Sequence, residues 1–291
     1  MGKDRRRYKM DTYYEGQVAV VTGAGGRLCS VIATHLAQKG CKVVLIGRTL
    51  EKLEKTASAI IASGKKCIIK TADVCDETAL SAVADEVSAE WGPCRFLING
   101  AGGNNNKAIT TNFYYDPAEL SDEKPEGMVG FFDLDMSIFE DVIRTNTIGT
   151  VIPMRVFGRQ MAKARRGSVI NFASMNSYRP LTRIPAYAIA KAGIVNFTEF
   201  LAVYFANAGI RINAIAPGFF INDRSIKILG SPETGLTERG KNVMRQTPAG
   251  RFGNPEDLLG TVDWLLDDRL SSYVTGQTIA VDGGFQAHAG V

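Results

Sequence analysis

Tyr187 and Lys191 stand four residues apart, and Ser174 lies thirteen residues before the tyrosine. On one helix a spacing of four puts the phenol and the ammonium on a shared face. A free phenol releases its proton near pH ~10, too high for ready exchange at neutrality. An adjacent ammonium favours the phenolate, so Lys191 is expected to lower the Tyr187 pKa and make it a usable acid or base. A serine hydroxyl such as that of Ser174 would hydrogen-bond a substrate oxygen as charge shifts onto it. Taken alone, Tyr-x-x-x-Lys is common on solvated helix faces. The company it keeps gives it meaning.

The elements that must position these residues are legible as alternating patterns. Residues 17–22 form a short valine-rich run, the signature of a strand buried on both faces. The run enters Gly23, Gly25 and Gly26, then an amphipathic stretch over 27–38 that stops at Gly40. Strand, glycine turn and helix in that order make the setting in which such a loop binds a dinucleotide. The backbone approaches the pyrophosphate, and the helix N-terminus offers free N–H groups and positive dipole. Further strands are expected at 41–47, 67–71, 95–99, 168–172, 211–215 and 278–281, and helices at 50–63, 77–91, 137–163, 185–207 and 255–266. This alternation predicts an α/β fold, a parallel sheet with helices on both faces. Residues 103–136 break the pattern: they are polar, rich in Asn, Pro and acids, and carry Phe113, Tyr114, Tyr115, Phe131 and Phe132. A connection of that length after the fourth strand reads as a lid or pocket wall.

Composition excludes other classes. Five of residues 1–10 are basic and one is acidic, so this tail alone accounts for the net charge of +4 on the whole chain. The body is formally neutral, which gives no support for nucleic-acid binding. The division expected is a basic tail over 1–14 and one domain over 15–291. The basic start lacks a following apolar segment, so no secretory signal is read there. No uninterrupted apolar run reaches the ~18–20 residues of a membrane span. Five cysteines, none spaced Cys-x-x-Cys, read as reduced thiols of a cytoplasmic protein. The two histidines, His35 and His288, sit in no metal-ligand pattern. No metal is expected, which leaves the tyrosine as the acid–base candidate.

Thr22-Gly-Ala-Gly-Gly-Arg-Leu-Cys29, Asn99-Gly-Ala-Gly102, Asn146-Thr-Ile-Gly149, Ser174, Tyr187, Lys191 and Pro217-Gly218 follow one another in an order and spacing that resembles the short-chain dehydrogenase/reductase family. The resemblance spans Glu15 to Phe285 and implies a single α/β domain, with seven strands in one doubly wound (Rossmann) sheet and helices on both faces. The glycine loop departs from the family pattern, because Arg27 and Cys29 stand where the second and third glycines usually do. Cys29 is small enough to keep helix and strand close, whereas Arg27 either points outward or reaches cofactor phosphate. By this likeness Tyr187 exchanges a proton with the substrate carbonyl oxygen, and Ser174 positions that oxygen. Lys191 would bind the nicotinamide ribose, and Asn146 would hold a water beside it. Asp73 and Val74 match the position that reads the adenine edge. Asn99, Gly100 and Ala101 match the loop beneath the nicotinamide ribose, and Pro217 and Gly218 the loop on the nicotinamide side. A homotetramer or homodimer is the family's usual assembly.

Cofactor choice is read at the end of the second strand, where an acidic residue would bind both ribose hydroxyls of NAD. The sequence there is Ile46-Gly47-Arg48, so a 2′-phosphate is welcomed and NADP(H) is favoured, with NAD(H) the alternative. Asn176, Arg179 and Arg183 fall on the loop between serine and tyrosine, and a guanidinium there could clamp a substrate carboxylate. The runs Gly102-Gly-Asn-Asn-Asn-Lys107, Ser174 to Arg183, Ala216-Pro-Gly-Phe-Phe220 and Leu236-Thr-Glu-Arg-Gly240 resemble those of the D-mannonate oxidoreductases (fructuronate reductases) within this family. That likeness implies reversible reduction of fructuronate to mannonate. The alternatives are another keto-sugar-acid or polyol reductase, such as a 5-ketogluconate reductase, an acyl-carrier-protein reductase, and a non-catalytic dinucleotide-binding regulator.

Overall fold

The computed structural model describes residues 12–221, 223–231 and 234–288, and of residues 223–225 the backbone alone. Strands β1 (Val18–Thr22), β2 (Lys42–Gly47), β3 (Cys67–Thr71) and β4 (Cys94–Asn99) alternate with helices α1 (Arg27–Gln38), α2 (Leu50–Ala62) and α3 (Glu77–Trp91). The second half begins with α4 (Met136–Ala164), β5 (Gly167–Phe172), α5 (Pro185–Tyr204) and β6 (Ile210–Pro217). Next come α6 (Asp223–Leu229), the short strands β7 (Gly230–Ser231) and β8 (Gly235–Leu236), and α7 (Glu238–Arg245). Then α8 (Leu259–Leu266), α9 (Asp268–Ser271) and β9 (Thr278–Val281) close the fold.

The main sheet has seven parallel strands in the order β3-β2-β1-β4-β5-β6-β9. Its direction of winding reverses between β1 and β4, and their carboxyl ends bound the crevice where such sheets hold ligands. Strand β1 shows why the continuous apolar run was needed. Ala19 and Val21 face one core layer with Ile32 and Leu36 of α1 and Val262 and Leu265 of α8. Val18 and Val20 face the other, with Leu80 and Val87 of α3 and Phe157 and Met161 of α4. Both faces are covered, so alternation disappears from the sequence.

Three differences from the sequence reading matter. Tyr13 and Tyr14, the end of the stretch read as a tail, pack against Phe96 with ring centroids 6.1 and 5.5 Å away, and residues 1–11 lie outside the described residues. The sequence holds no uninterrupted apolar run of membrane-spanning length, but one helix that contains Lys191 and Glu199 passes a coarser test of length and composition. Helix α5, with a mean hydropathy of 1.2, is long and apolar enough by length and composition to cross a bilayer, although 44% of that stretch is buried inside the protein. Its small residues raise the average, while Lys191 sits on its buried face. Finally, the segment after Pro217, read only as a loop, contains α6, α7 and the two-stranded hairpin.

The long connection over 103–136 is built of three 3-10 turns, Asn106–Ala108, Pro117–Leu120 and Phe131–Asp133. Thr111 and Val129 close its neck: the Thr111 N–H donates to the Val129 carbonyl at 2.9 Å, and the Val129 N–H to the Thr111 hydroxyl at 3.0 Å. Glu119 is buried at its centre and accepts from the Phe131 N–H at 3.0 Å. Its aromatic residues Phe113, Tyr114, Tyr115, Phe131 and Phe132 are exposed.

Candidate active site

Ser174 follows β5, and Tyr187 and Lys191 lie on the first turns of α5, which starts with Pro185 in the position that tolerates a missing N–H. The three side chains meet at the carboxyl edge of the sheet. The Ser174 hydroxyl is within hydrogen-bonding reach of the Tyr187 phenol and accepts from the Asn176 N–H at 3.2 Å. Ser177, which sequence reasoning passed over, ties this turn to the helix: its hydroxyl donates to the Lys191 carbonyl at 2.6 Å and accepts from the Ser174 N–H at 3.2 Å. The Lys191 ammonium is buried, donates to the Phe172 carbonyl at 2.6 Å and lies 5.6 Å from the centroid of the Tyr187 ring.

The electrostatics correct one expectation. Burial pushes the Tyr187 phenol up, and the Ser174 hydrogen bond opposes that rise. Lys191 was expected to bring the phenol down. Instead its own pKa is pushed down to about 8 by burial, with the Cys29 thiol acting weakly the other way. The ammonium is aimed at the Phe172 carbonyl, which satisfies it without placing its charge on the phenol oxygen.

Asn146 is wholly buried on α4, and both ends of its amide are engaged. The NH2 donates to the carbonyls of Gly103 and Val142 at 2.7 and 2.8 Å, and the oxygen accepts from the Gly103 N–H at 3.1 Å. A β-carbon on Gly102 would strike the Asn146 oxygen and would stand 3.6 Å from the Lys191 nitrogen. This amide therefore fixes the Gly102–Gly103 turn beside Lys191.

The crevice suits a dinucleotide. Helix α1 has Gly26 at its cap, no side chain satisfying its first N–H groups and no acid in its first turn, leaving donors and positive dipole for an anion. Gly23 takes a φ of +66°, and a β-carbon there would meet the Gly100 carbonyl at 2.8 Å, so only glycine fits. Thr22 locks the two loops together, its hydroxyl accepting from the N–H groups of Gly100 and Ala101 at 3.1 and 3.2 Å. Asn99 is buried beneath them and donates to Asn171 at 2.9 Å. Arg27 is exposed on the first turn of α1, near Gly25 and Gly26. At the far end Arg48 and Asp73, both exposed, are 3.8 Å apart, and Val74 is buried beside them. Pro217 ends β6, and Gly218 packs so closely on Asp282 that a β-carbon would lie 2.6 Å from its backbone.

The three substrate candidates separate. The Asn176 oxygen accepts from the Leu181 N–H at 2.8 Å, bracing the loop from within. Arg179 is exposed and donates to the His288 carbonyl at 2.7 Å. Arg183 turns inward: its Nε donates to the Thr110 carbonyl at 2.7 Å, and its guanidinium lies 5.8 Å from the Phe113 ring. Together with Ala108, which packs in the cluster containing Tyr187, this ties the long connection to the start of α5 and the loop before it.

A family model for short chain dehydrogenase matches residues 17–228, and the protein belongs to that family. It is an oxidoreductase of the group that acts on alcohol and keto groups. It is 43% identical over 276 residues to the uncharacterized oxidoreductase UxuB of Bacillus subtilis, covering 95% of this chain and 97% of that protein. A Haemophilus influenzae structure, provisionally designated a D-mannonate oxidoreductase and holding NAD, superposes with a TM-score of 0.89 at 41% identity, over 95% of this chain and 97% of that one. The 2-dehydro-3-deoxy-D-gluconate 5-dehydrogenase of Escherichia coli is 31% identical, with 94% and 96% coverage.

Proposed function

We propose that this protein interconverts a keto-sugar acid and its hydroxy acid, with fructuronate and mannonate as the pair. The observation that carries the chemistry is the Ser174 hydroxyl beside the Tyr187 phenol, with the Lys191 ammonium buried behind them. A bound nicotinamide dinucleotide supplies or accepts the hydride. Gly23, Gly25, Gly26 and Arg27 hold its pyrophosphate on the open end of α1. Asn99, Gly100 and Ala101 support the ribose, with Lys191 within reach, and Pro217 and Gly218 back the ring. Ser174 donates to the substrate oxygen, and Tyr187 gives that oxygen a proton during reduction or takes one during oxidation. Asn146 keeps the Gly102–Gly103 turn and Lys191 in register.

Sugar-acid chemistry is supported by two relatives named for such substrates. A 5-keto acid such as 5-ketogluconate is the second reading, favoured by the Escherichia coli relative's name. For the cofactor, Arg48 supports NADP(H): its guanidinium is exposed, and at 3.8 Å Asp73 engages it loosely. NAD(H) is the alternative, favoured by the dinucleotide in the Haemophilus structure. The exposed apolar face of α5 supports a homodimer or homotetramer, and the five unpaired cysteines support a reducing compartment such as the cytoplasm. The test is absorbance at 340 nm with fructuronate, tagaturonate and 5-ketogluconate under each reduced cofactor. Turnover of fructuronate with a higher kcat/KM for NADPH is expected. Failure with all three acids would overturn the substrate reading, and a preference for NADH would overturn the role of Arg48.

A further inference from the structure

The proposed chemistry needs a serine hydroxyl and a phenol held at one distance, yet the two stand on separate elements. Ser174 follows β5, while Tyr187 and Lys191 lie on α5. The chain joining the serine turn to the helix covers residues 178–184, and four of these seven are exposed. An exposed loop fixes the spacing of its ends weakly, so the register of serine against tyrosine must come from contacts across the turn.

Ser177 makes such a contact with one half-buried hydroxyl. It donates to the Lys191 carbonyl at 2.6 Å and accepts from the Ser174 N–H at 3.2 Å. Its own N–H donates to the Ser174 carbonyl at 2.9 Å, so Ser174 is held at both backbone groups. The Ser174 hydroxyl meanwhile accepts from the Asn176 N–H at 3.2 Å, which uses a lone pair and spares the O–H as a donor. Lys191 is held at both ends too, its carbonyl by Ser177 and its ammonium by the Phe172 carbonyl at 2.6 Å. Two turns further along α5, the Asn171 amide donates to the Thr198 hydroxyl at 3.0 Å. That bond sets the helix against the sheet, and Ser177 sets it against the serine turn.

We infer that Ser177 is a positioning residue of the reaction, fixing the register between Ser174 and the helix that carries Tyr187 and Lys191. This rests on the proposed roles of Ser174 and Tyr187 and adds to them the group that keeps the two aligned. Ser177 acts through the backbones of Ser174 and Lys191, and the proton steps remain with Ser174 and Tyr187. Removing its hydroxyl releases the Ser174 N–H and the tie to α5 together. Met175 and Asn176 stay buried within the turn, so the turn persists while its aim loosens. Misalignment at the reacting atoms weakens the transition state more than the bound substrate, so the loss falls on kcat.

The test compares Ser177→Ala and Ser177→Thr, each alone and combined with Ser174→Ala, in the full chain. Without substrate, Ser177→Ala should speed amide hydrogen exchange at Ser174 by ~10-fold, the scale of one lost hydrogen bond. Exchange in β5 should not change. In fructuronate reduction with NADPH, Ser177→Ala should lower kcat by ~10-fold and leave KM and the cofactor Kd within about twofold. Ser177→Thr, which keeps a hydroxyl, should recover most of that loss. In the Ser174→Ala background the Ser177→Ala effect on kcat should vanish, because the group being positioned is gone. An effect that persists there in full, or one that threonine does not rescue, would overturn the inference. So would unchanged exchange at Ser174, whichever keto acid the wild type reduces. If Ser174→Ala loses kcat and Ser177→Ala keeps it, this inference falls and the proposed function stands. Wild-type kcat in Ser174→Ala would remove the proposed role of Ser174 and this inference with it.

Discussion

At the scale of single residues, the chemistry turns on how two buried groups hold their protons. Replacing Tyr187 by Phe removes the positioned acid and little else, since the ring packs with Ala108, Val142 and Ala186 through its carbon atoms. Turnover should fall by ~10²-fold or more, with the cofactor Kd nearly unchanged; rates close to wild type would refute the proposed proton transfer. Lys191 gives a pH signature. Its folded pKa of about 8 lies below the ordinary lysine value of 10.5. Below pH 8 the lysine is charged in both states, and the cost of burying its ammonium is fully present. Between about 8 and 10.5 the unfolded chain holds the proton and the native one does not, so stability rises with pH across that window. Wild type should therefore gain on Lys191→Met in denaturant titrations between pH 8 and 10, and a constant difference would mean that the ammonium is not desolvated. Ser174, Tyr187 and Lys191 were legible because their spacing on one turn and one helix could be read together with the motifs around them. The lowering of the Tyr187 pKa failed at this scale, because sequence spacing does not reveal that the Phe172 carbonyl captures the ammonium.

At the scale of elements, strands and helices of the sheet were readable almost to the residue, because two-sided burial and glycine stops leave local marks. The segment after Pro217 was not, since β7 and β8 have two residues each and α7 is strongly polar. The 103–136 connection shows how polar sequence can still build an internally bonded segment. Glu119 accepts from the Phe131 N–H and, at 3.5 Å, from the Asp116 N–H, so one buried carboxylate replaces the ladder that a strand would have supplied. Glu119→Ala strips both donors at a cost of about 1–3 kcal/mol per unsatisfied group. Limited proteolysis within 113–133 should accelerate, and KM for the keto acid should rise more than kcat falls. The global Tm should move little, because the connection lies outside the two main core layers. A large drop in Tm with unchanged proteolysis would show that the connection is part of the folding core and not a separately ordered wall.

At the scale of the whole molecule, α5 has two apolar faces and only one covering. Ala186, Ala190, Ile194 and Leu201 are buried, while Ile189, Phe200, Val203 and Tyr204 project outward, with Val203 81% exposed. Phe200 and Tyr204 stack with ring centroids 5.7 Å apart, so with Val203 they form an aromatic and aliphatic strip, separated from Ile189 by Gly193 and Asn196. A strip of this kind is unusual on an isolated monomer and marks a surface that another protein covers. A second copy presents the same strip, and a two-fold axis would bury both. The same helix carries Tyr187 and Lys191 near its start, so assembly would stiffen the element that aims the proton donor. Val203→Glu places a carboxylate in the centre of that strip, where desolvation opposes burial. Light scattering after gel filtration should give a dimer or tetramer for wild type and a smaller species for Val203→Glu. The variant's cofactor Kd should stay close to wild type, because Val203 lies three turns beyond Lys191, far from the crevice. A monomeric wild type, or an unchanged assembly in the variant, would exclude this face as the interface.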